Sequence, residues 1–269
     1  MFRYLLAAAI LPLFATAPTI AAELPKEGLV EAGAVNYGVA ATFAPFEFQK
    51  DGQLTGFDID LIGALAKKLG AEAKASNMEF KGLIPALSGG RIDIINSAMY
   101  INPQRSEQVD FVPYLKIGNQ VIVQKGNPSK VTGRDDSLCG KTISVTLGGI
   151  QESQARADDK RCTDKGLDGI KVLTMPTAQD SALTLRQGRA DATFDSTPGA
   201  VVLLGALPDV YETVGEEFEA NTNIGIATRK GDTQMQESLK AALAEIVADG
   251  TYKSLIEKWK LPATVSIFN

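Results

Sequence analysis

Arg105, in the run Tyr100-Ile101-Asn102-Pro103-Gln104-Arg105, carries the most specific chemistry in the chain. A guanidinium offers a rigid fork of donors that matches a carboxylate at two points, so an arginine facing a cleft anchors a small acid, while one on a helix surface is simply solvated. A second anion feature is Leu147-Gly148-Gly149-Ile150-Gln151, where two glycines join a strand to a helix. Such a junction exposes amides at the positive end of the helix, and it equally suits an ordinary tight turn. Asp195-Ser196-Thr197-Pro198 opens another helix. Asp195 and Ser196 can each act as its N-cap or as an acceptor toward a ligand. Thr42-Phe43-Ala44-Pro45-Phe46 and Phe80 are too apolar for catalysis and suit either the wall of a small pocket or the core.

The chain holds no histidine, which excludes Ser-His-Asp and Cys-His catalysis, imidazole bases and histidine metal sites. Asp58-Ile59-Asp60 lacks the further oxygen ligands of a calcium loop and reads as favourable charge at a helix start. Glu79, Glu152 and Asp180 are scattered, so no paired-carboxylate site stands out. No metal and no cofactor is expected. Lys plus Arg number 27 against 32 Asp plus Glu, a net charge of −5 that argues against a nucleic-acid partner.

These groups need a scaffold, and 269 residues at 45% hydrophobic and 22% charged suffice for one large or two moderate domains. Residues 1–22 have the pattern of a secretory signal peptide: Arg3, an apolar stretch from Leu5 to Ala17, and small residues before Glu23. Pro12 and Pro18 interrupt the stretch, which is short for a bilayer span. No cysteine near it offers a lipid anchor. In an exported chain Cys139 and Cys162 are most simply one disulfide, the alternative being two buried thiols.

Past the leader, β-branched runs alternate with helical periodicity, the pattern of an α/β protein. Ala34 to Val39 reads as a strand, and Asp58 to Leu69 as an amphipathic helix with Asp58 as N-cap and Gly70 as its stop. A strand over Ile92 to Asn96 and a helix begun at Pro103 follow. A second set comprises Thr142 to Val145 (strand), Ile150 to about Asp164 (helix), Ile170 to Met175 (strand), Ala178 to Gln187 (helix) and Ala190 to Phe194 (strand). Two α/β lobes joined by extended segments leave a cleft, and ligands bind in such clefts near the carboxyl ends of strands.

Gly56-Phe57-Asp58-Ile59-Asp60-Leu61, Phe80-Lys81-Gly82-Leu83-Ile84-Pro85-Ala86-Leu87, Arg91-Ile92-Asp93-Ile94-Ile95, Pro103-Gln104-Arg105 and Val109-Asp110-Phe111 come in an ordered series. With Gly188-Arg189-Ala190-Asp191-Ala192 and Gly231-Asp232, the series resembles the extracellular solute-binding proteins of polar amino-acid ABC importers, from about Ala34 to Lys260. The resemblance implies a two-lobed type II periplasmic-binding-protein fold, with the ligand cleft between lobes joined by crossovers near Leu115 to Asn119 and Phe218 to Asn223. The divisions expected are lobe 1 at 23–116, lobe 2 at 117–220 and a return to lobe 1 at 221–269.

The resemblance further implies that Arg105 grips a ligand α-carboxylate with backbone amides at Gly149 and Ile150, and that Phe43 and Phe80 sandwich the ligand. Ala98 and Tyr100 complete its pocket. An acid just before Thr197-Pro198 takes the α-ammonium; counting places Ser196 there and Asp195 one residue away, on the other face of a strand unless a bulge intervenes. Tyr100 stands where a small or hydroxyl residue is common, and Ala40 where binders of cationic side chains can carry an acid. The ligand expected is therefore an amino acid with a neutral or weakly polar side chain, or a related carboxylate. The partner implied is an ABC permease in the inner membrane, served by a periplasmic, monomeric, non-enzymatic protein. The alternatives on this fold are a periplasmic dehydratase of prephenate-like acids and a ligand-binding module for a chemoreceptor.

Overall fold

The computed structural model describes residues 22–268; the leader expected at residues 1–22 lies outside the described residues, Ala22 apart. Lobe 1 starts with β1 (Ala34–Val39), a small antiparallel sheet of β2 (Thr42–Phe43), β3 (Glu47–Lys50) and β4 (Gln53–Thr55), and α1 (Phe57–Lys68). It continues through β5 (Glu72–Asn77), α2 (Leu83–Ser88), β6 (Ile94–Tyr100) and the single turn α3 (Pro103–Ser106). The long strand β7 (Val109–Gln124) carries the chain into lobe 2, built from β8 (Thr142–Thr146), α4 (Ile150–Asp164), β9 (Lys171–Met175), α5 (Ala178–Arg186), β10 (Ala192–Ser196) and α6 (Thr197–Ala206). A second long strand, β11 (Tyr211–Arg229), returns to lobe 1, where α7 (Thr233–Ala248) and α8 (Thr251–Lys258) pack.

One sheet of eight strands runs through both lobes in the order β5-β1-β6-β11-β7-β10-β8-β9. Strands β5, β1 and β6 are parallel, as are β10, β8 and β9, and the antiparallel pair β7 and β11 lies between the two sets. That pair extends from Val109 opposite Arg229 to Gln124 opposite Tyr211. Its register shifts between Val214 and Phe218 and again between Phe218 and Thr222, where the two strands pass from one lobe to the other. The result is the two-lobed type II fold.

Helix α1 forms because Leu61, Ile62, Leu65 and Ala66 fall on one buried face, with Asp58 and Asp60 in the first turn and Lys67 and Lys68 in the last. Gly70, at φ +64°, ends it. Its apolar stripe packs with Tyr114, Leu239, Ile246 and Tyr252 in the main core of lobe 1. A second cluster, with Leu83, Leu87, Ile92 and Met99, covers the other side of that sheet. In lobe 2, Val121 and Val123 join Ile143, Val145 and Phe194, while Ile122 joins Ala182, Leu185 and Tyr211. The alternation along β7 thus feeds a core on each face.

Cys139 and Cys162 form a disulfide with Cα atoms 5.5 Å apart, tying the loop before β8 to the last turn of α4. Three expectations need correction. Gly56, not Asp58, occupies the N-cap of α1; Asp58 lies in the first turn and is fully buried. The strand expected at Ile92 to Asn96 runs from Ile94 to Tyr100, and the one expected to end at Phe194 runs on through Ser196. Asp195 and Ser196 therefore end a strand instead of following it. Among the described residues no helix is long and apolar enough to cross a membrane.

Candidate functional site

The cleft lies where the carboxyl ends of β1, β6 and β8 meet the amino ends of α4 and α5, the place open α/β sheets offer for ligands. A cavity there is lined by Ala40, Thr42, Phe43, Phe80, Ala98, Tyr100, Thr146, Gly149, Ile150, Gln151 and Ala178. Six of the nine candidate ligand residues line it: Phe43, Phe80, Ala98, Tyr100, Gly149 and Ile150. Thr146, Gln151 and Ala178 escaped the sequence reading, although each sits where the strand-end rule directs attention: last in β8, second in α4 and first in α5.

Arg105 stands beside this cavity. Asn102 caps α3 by accepting the Arg105 amide at 2.8 Å, and Pro103 takes the first turn, so a short rigid helix projects the side chain between the lobes. Only 7% of Arg105 is exposed. Its Nη1 donates to the Tyr100 carbonyl at 2.6 Å, its Nη2 donates to the Gly148 carbonyl of lobe 2 at 2.9 Å, and the guanidinium lies 5.3 Å from the Phe80 ring centre. Burial lowers its pKa to about 10, which leaves it protonated at neutral pH. Among the described residues no carboxylate forms an ion pair with it. Phe80 and Gly149 line both the cavity and the groove that holds Arg105.

The lobe 2 wall is the start of α4. Gly148 takes φ +78°, and a Cβ there would lie 3.3 Å from Cβ of Lys81, so the glycine permits close approach to lobe 1. The Gly148 amide donates to Glu152 Oε2 at 2.8 Å and the Gly149 amide to the Thr146 carbonyl at 3.0 Å. Gly149 is engaged in the turn, and helix geometry leaves the amides of Ile150 and Gln151 without partners in the helix.

On the lobe 1 wall the Asp58 carboxylate accepts the Ala98 amide at 2.7 Å and the Tyr114 hydroxyl at 2.6 Å. Ser97 Oγ donates to Glu47 at 2.9 Å and accepts the Ala40 amide at 3.0 Å. Glu47 and Asp58 are both fully buried, and desolvation raises both carboxyls; the charge of Asp58 raises Glu47 further, while Asp58 reaches about 7 against the lowering hydrogen bonds of Tyr114, Ala98 and Glu47. Two buried acids thus fix Ala40 and Ala98 in the pocket wall. Tyr100 sends its hydroxyl to the crossover strand, 3.2 Å from Asn119 Oδ1 and 3.4 Å from the Gly118 carbonyl. Its phenol is pushed well above the ordinary range by burial and by the neighbouring carboxylates of Asp195, Glu219 and Glu217, against the opposing charge of Arg105.

Register separates the two candidate acceptors on β10. Ser196 pairs with Asn119 and Asp195 with Gln120, so their side chains take opposite faces. Ser196 is fully buried, and its Oγ accepts the Gly199 amide at 3.0 Å, capping α6. Asp195 accepts the Ser196 amide at 2.7 Å and lines a groove that shares Thr42, Phe43 and Ala178 with the main cavity. Burial raises its carboxyl to about 7. Among the described residues no cation pairs with it.

Comparison with known proteins matches residues 35–262 to the Bacterial extracellular solute-binding proteins, family 3. The L-cystine-binding protein TcyJ of Escherichia coli (strain K12) is 34% identical over 239 residues, covering 87% of this chain and 86% of that protein. Among solved structures, an ancestral arginine-binding protein bound to arginine superposes with a TM-score of 0.77 at 37% identity, covering 84% of this chain and 98% of the other. The ancestral amino acid-binding protein AncCDT-1, a precursor of cyclohexadienyl dehydratase, gives 0.74 at 33% identity, with 84% and 95% covered.

Proposed function

This chain belongs to the bacterial extracellular solute-binding proteins of family 3, and from that premise we propose that it captures an amino acid, or an amino-acid-like carboxylate, between its lobes. It hands the ligand to an ABC permease of the inner membrane from the periplasm, as a monomer. Arg105 is the observation that carries the reading. A guanidinium this buried is costly without an anion, and its two carbonyl partners are neutral. A ligand carboxylate set beside it also meets the amides that open α4.

Asp195 holds the ligand ammonium, with Ser196 left to its helix cap. Phe43 and Phe80 cover the ligand from two sides. Its side chain lies against Ala40, Ala98, Ile150 and Ala178, none charged, and this supports a neutral or weakly polar side chain over a cationic one. Lobe 1 comprises residues 23–116 and 221–269, lobe 2 residues 117–220. Closure follows from contacts the ligand makes to both lobes at once. A dehydratase reading is less well supported, because TcyJ, 34% identical over 87% of this chain, is a binding protein, and the dehydratase enters only through AncCDT-1, itself an amino acid-binding protein.

The test is a thermal-shift panel on protein stripped of ligand by unfolding and refolding, with the common L-amino acids beside matched carboxylates that lack the α-amino group. A true ligand at about 1,000 times its Kd stabilises by about 4 kcal/mol. Stabilisation by α-amino acids alone supports the proposal. Equal or greater stabilisation by the amine-free acids would remove Asp195 from the ammonium site and the amino-acid reading with it.

A further inference from the structure

Hydrogen bonds close a circuit around the cavity. From lobe 1, Arg105 donates to the Gly148 carbonyl of lobe 2 and to the Tyr100 carbonyl. The Tyr100 hydroxyl then reaches Asn119 Oδ1 on the crossover strand, and the same oxygen accepts Gln151 Nε2 of lobe 2 at 2.8 Å. Gly148 precedes α4 and Gln151 lies in its first turn. The helix end that faces the ligand is thus held from one side by Arg105 and from the other by Asn119.

Asn119 is an unusual choice for a packed strand. It is fully buried, its Oδ1 serves both lobes, and its Nδ2 has no hydrogen-bond partner. A buried, unsatisfied donor is costly, by about 1–3 kcal/mol, so packing alone does not account for it. The β7–β11 ladder is irregular on both sides of this residue: Phe218 faces Asn119, and register shifts lie before and after Phe218. On its other side Asn119 pairs with Ser196 at the start of the regular β7–β10 ladder, so the irregular stretch of β7–β11 borders lobe 2 at this residue.

Resting on the reading of the chain as a closing binding protein, we propose that Asn119 is the positioning residue that couples closure to ligand retention, by joining Tyr100 of lobe 1 to Gln151 of lobe 2. Opening of the lobes carries Tyr100 away from Asn119 and Arg105 away from Gly148. The Tyr100–Asn119 bond therefore stabilises the closed form selectively, and a contact of that kind shifts the population toward it. Its loss speeds ligand escape and leaves capture unchanged, since an open cleft forms before the contact does.

The experiment compares wild type with Tyr100→Phe, which deletes one hydroxyl, and Asn119→Leu, which replaces the amide by an apolar group of similar size. The probes are the common L-amino acids and L-cystine, applied singly. Dissociation and association rates are read by stopped-flow fluorescence of Trp259, and contraction on binding by small-angle X-ray scattering. Both variants are expected to release the bound amino acid about tenfold faster, the equivalent of one lost hydrogen bond; for Asn119→Leu, at a residue that does not line the cavity, the association rate stays within about twofold of wild type. They also contract less at saturation. Wild-type contraction with unchanged dissociation rates in Tyr100→Phe overturns the coupling, as does a lower melting temperature in the ligand-free variants with retention unaltered. No contraction of wild type with any probe overturns the binding-protein reading itself, and the coupling with it.

Discussion

The carboxylate of Asp58 accepts the amide of Ala98 at 2.7 Å, and Ala98 holds φ +39°, a conformation non-glycine residues seldom adopt. The acid that begins α1 therefore fixes a strained backbone at the floor of the cleft. It does so in company with Glu47, a second buried carboxyl; burial raises both toward the protonated form, and the charge of Asp58 raises Glu47 further.

Stability is expected to fall as pH rises from about 4 to about 7 on account of this pair and of Asp195, whose carboxyl burial also raises to about 7. Each carboxyl titrates near pH 4 in the unfolded chain and higher in the fold, with Asp58 at about 7. The folded state therefore binds more protons across that window, and the slope of unfolding free energy with pH is negative there. Asp110 and Asp135 shift downward through their hydrogen-bond partners and act with the opposite sign, at lower pH. Urea midpoints measured from pH 4.5 to 8 should decline for the wild type and less steeply for Asp58→Asn, in which Glu47 and Asp195 still titrate. A midpoint that climbs with pH over this range removes the pair as the controlling group.

Arg105→Ala should weaken ligand binding by about 2–5 kcal/mol, the range for losing one partner of a desolvated charged contact. Arg105→Lys should recover only part of that, because an ammonium does not reproduce the fork that spans the Tyr100 and Gly148 carbonyls. Titration calorimetry on refolded protein decides it. Affinities within about twofold of wild type for both variants would displace Arg105 from the carboxylate site.

Much of the frame was legible in the chain. The periodicity of Ile150 to Asp164 gave α4 with its observed ends, and the stripe of Leu61, Ile62 and Leu65 gave α1 to within a residue. Strand β5, with the sequence Glu-Ala-Lys-Ala-Ser-Asn, was not legible, because an edge strand without large apolar side chains carries no alternation to read. Asp58 was misplaced for a related reason. Acids at helix starts are normally solvated, and its burial follows from tertiary partners, Ala98 and Tyr114, far away in sequence. Which faces Asp195 and Ser196 take needed the pairing of β10 with β7, since a strand's faces are told apart only once its register is known. Arg105 was found by residue type, but its attachment to Gly148 depends on how the lobes meet.

Ligand affinity should depend on pH through Asp195, and the sign reports which ligand group it meets. With its carboxyl raised to about 7, Asp195 is partly protonated at neutral pH. An ammonium binds the ionised form, so an α-amino acid should bind more weakly as pH drops below about 7 and should release protons on binding. An amine-free acid prefers the protonated form and tightens over the same interval. Calorimetry in buffers of differing ionisation enthalpy reads the proton count directly. Asp195→Asn should abolish the dependence, and a dependence that survives in this variant belongs to another group.

Reducing the disulfide should destabilise lobe 2 and spare the site. Cys139 and Cys162 are 23 residues apart, and closing a loop of that length stabilises by about 3 kcal/mol in the chain-entropy model. The bridge fastens the far end of α4 at Cys162, whereas the cleft uses its first turn, with Ile150 twelve residues earlier in the same helix. A Cys139→Ala/Cys162→Ala protein is therefore expected to melt several degrees lower while keeping its ligand affinity within about threefold at 25 °C. A large loss of affinity at temperatures where the double variant remains folded would mean that the bridge positions the helix start as well as stabilising the lobe.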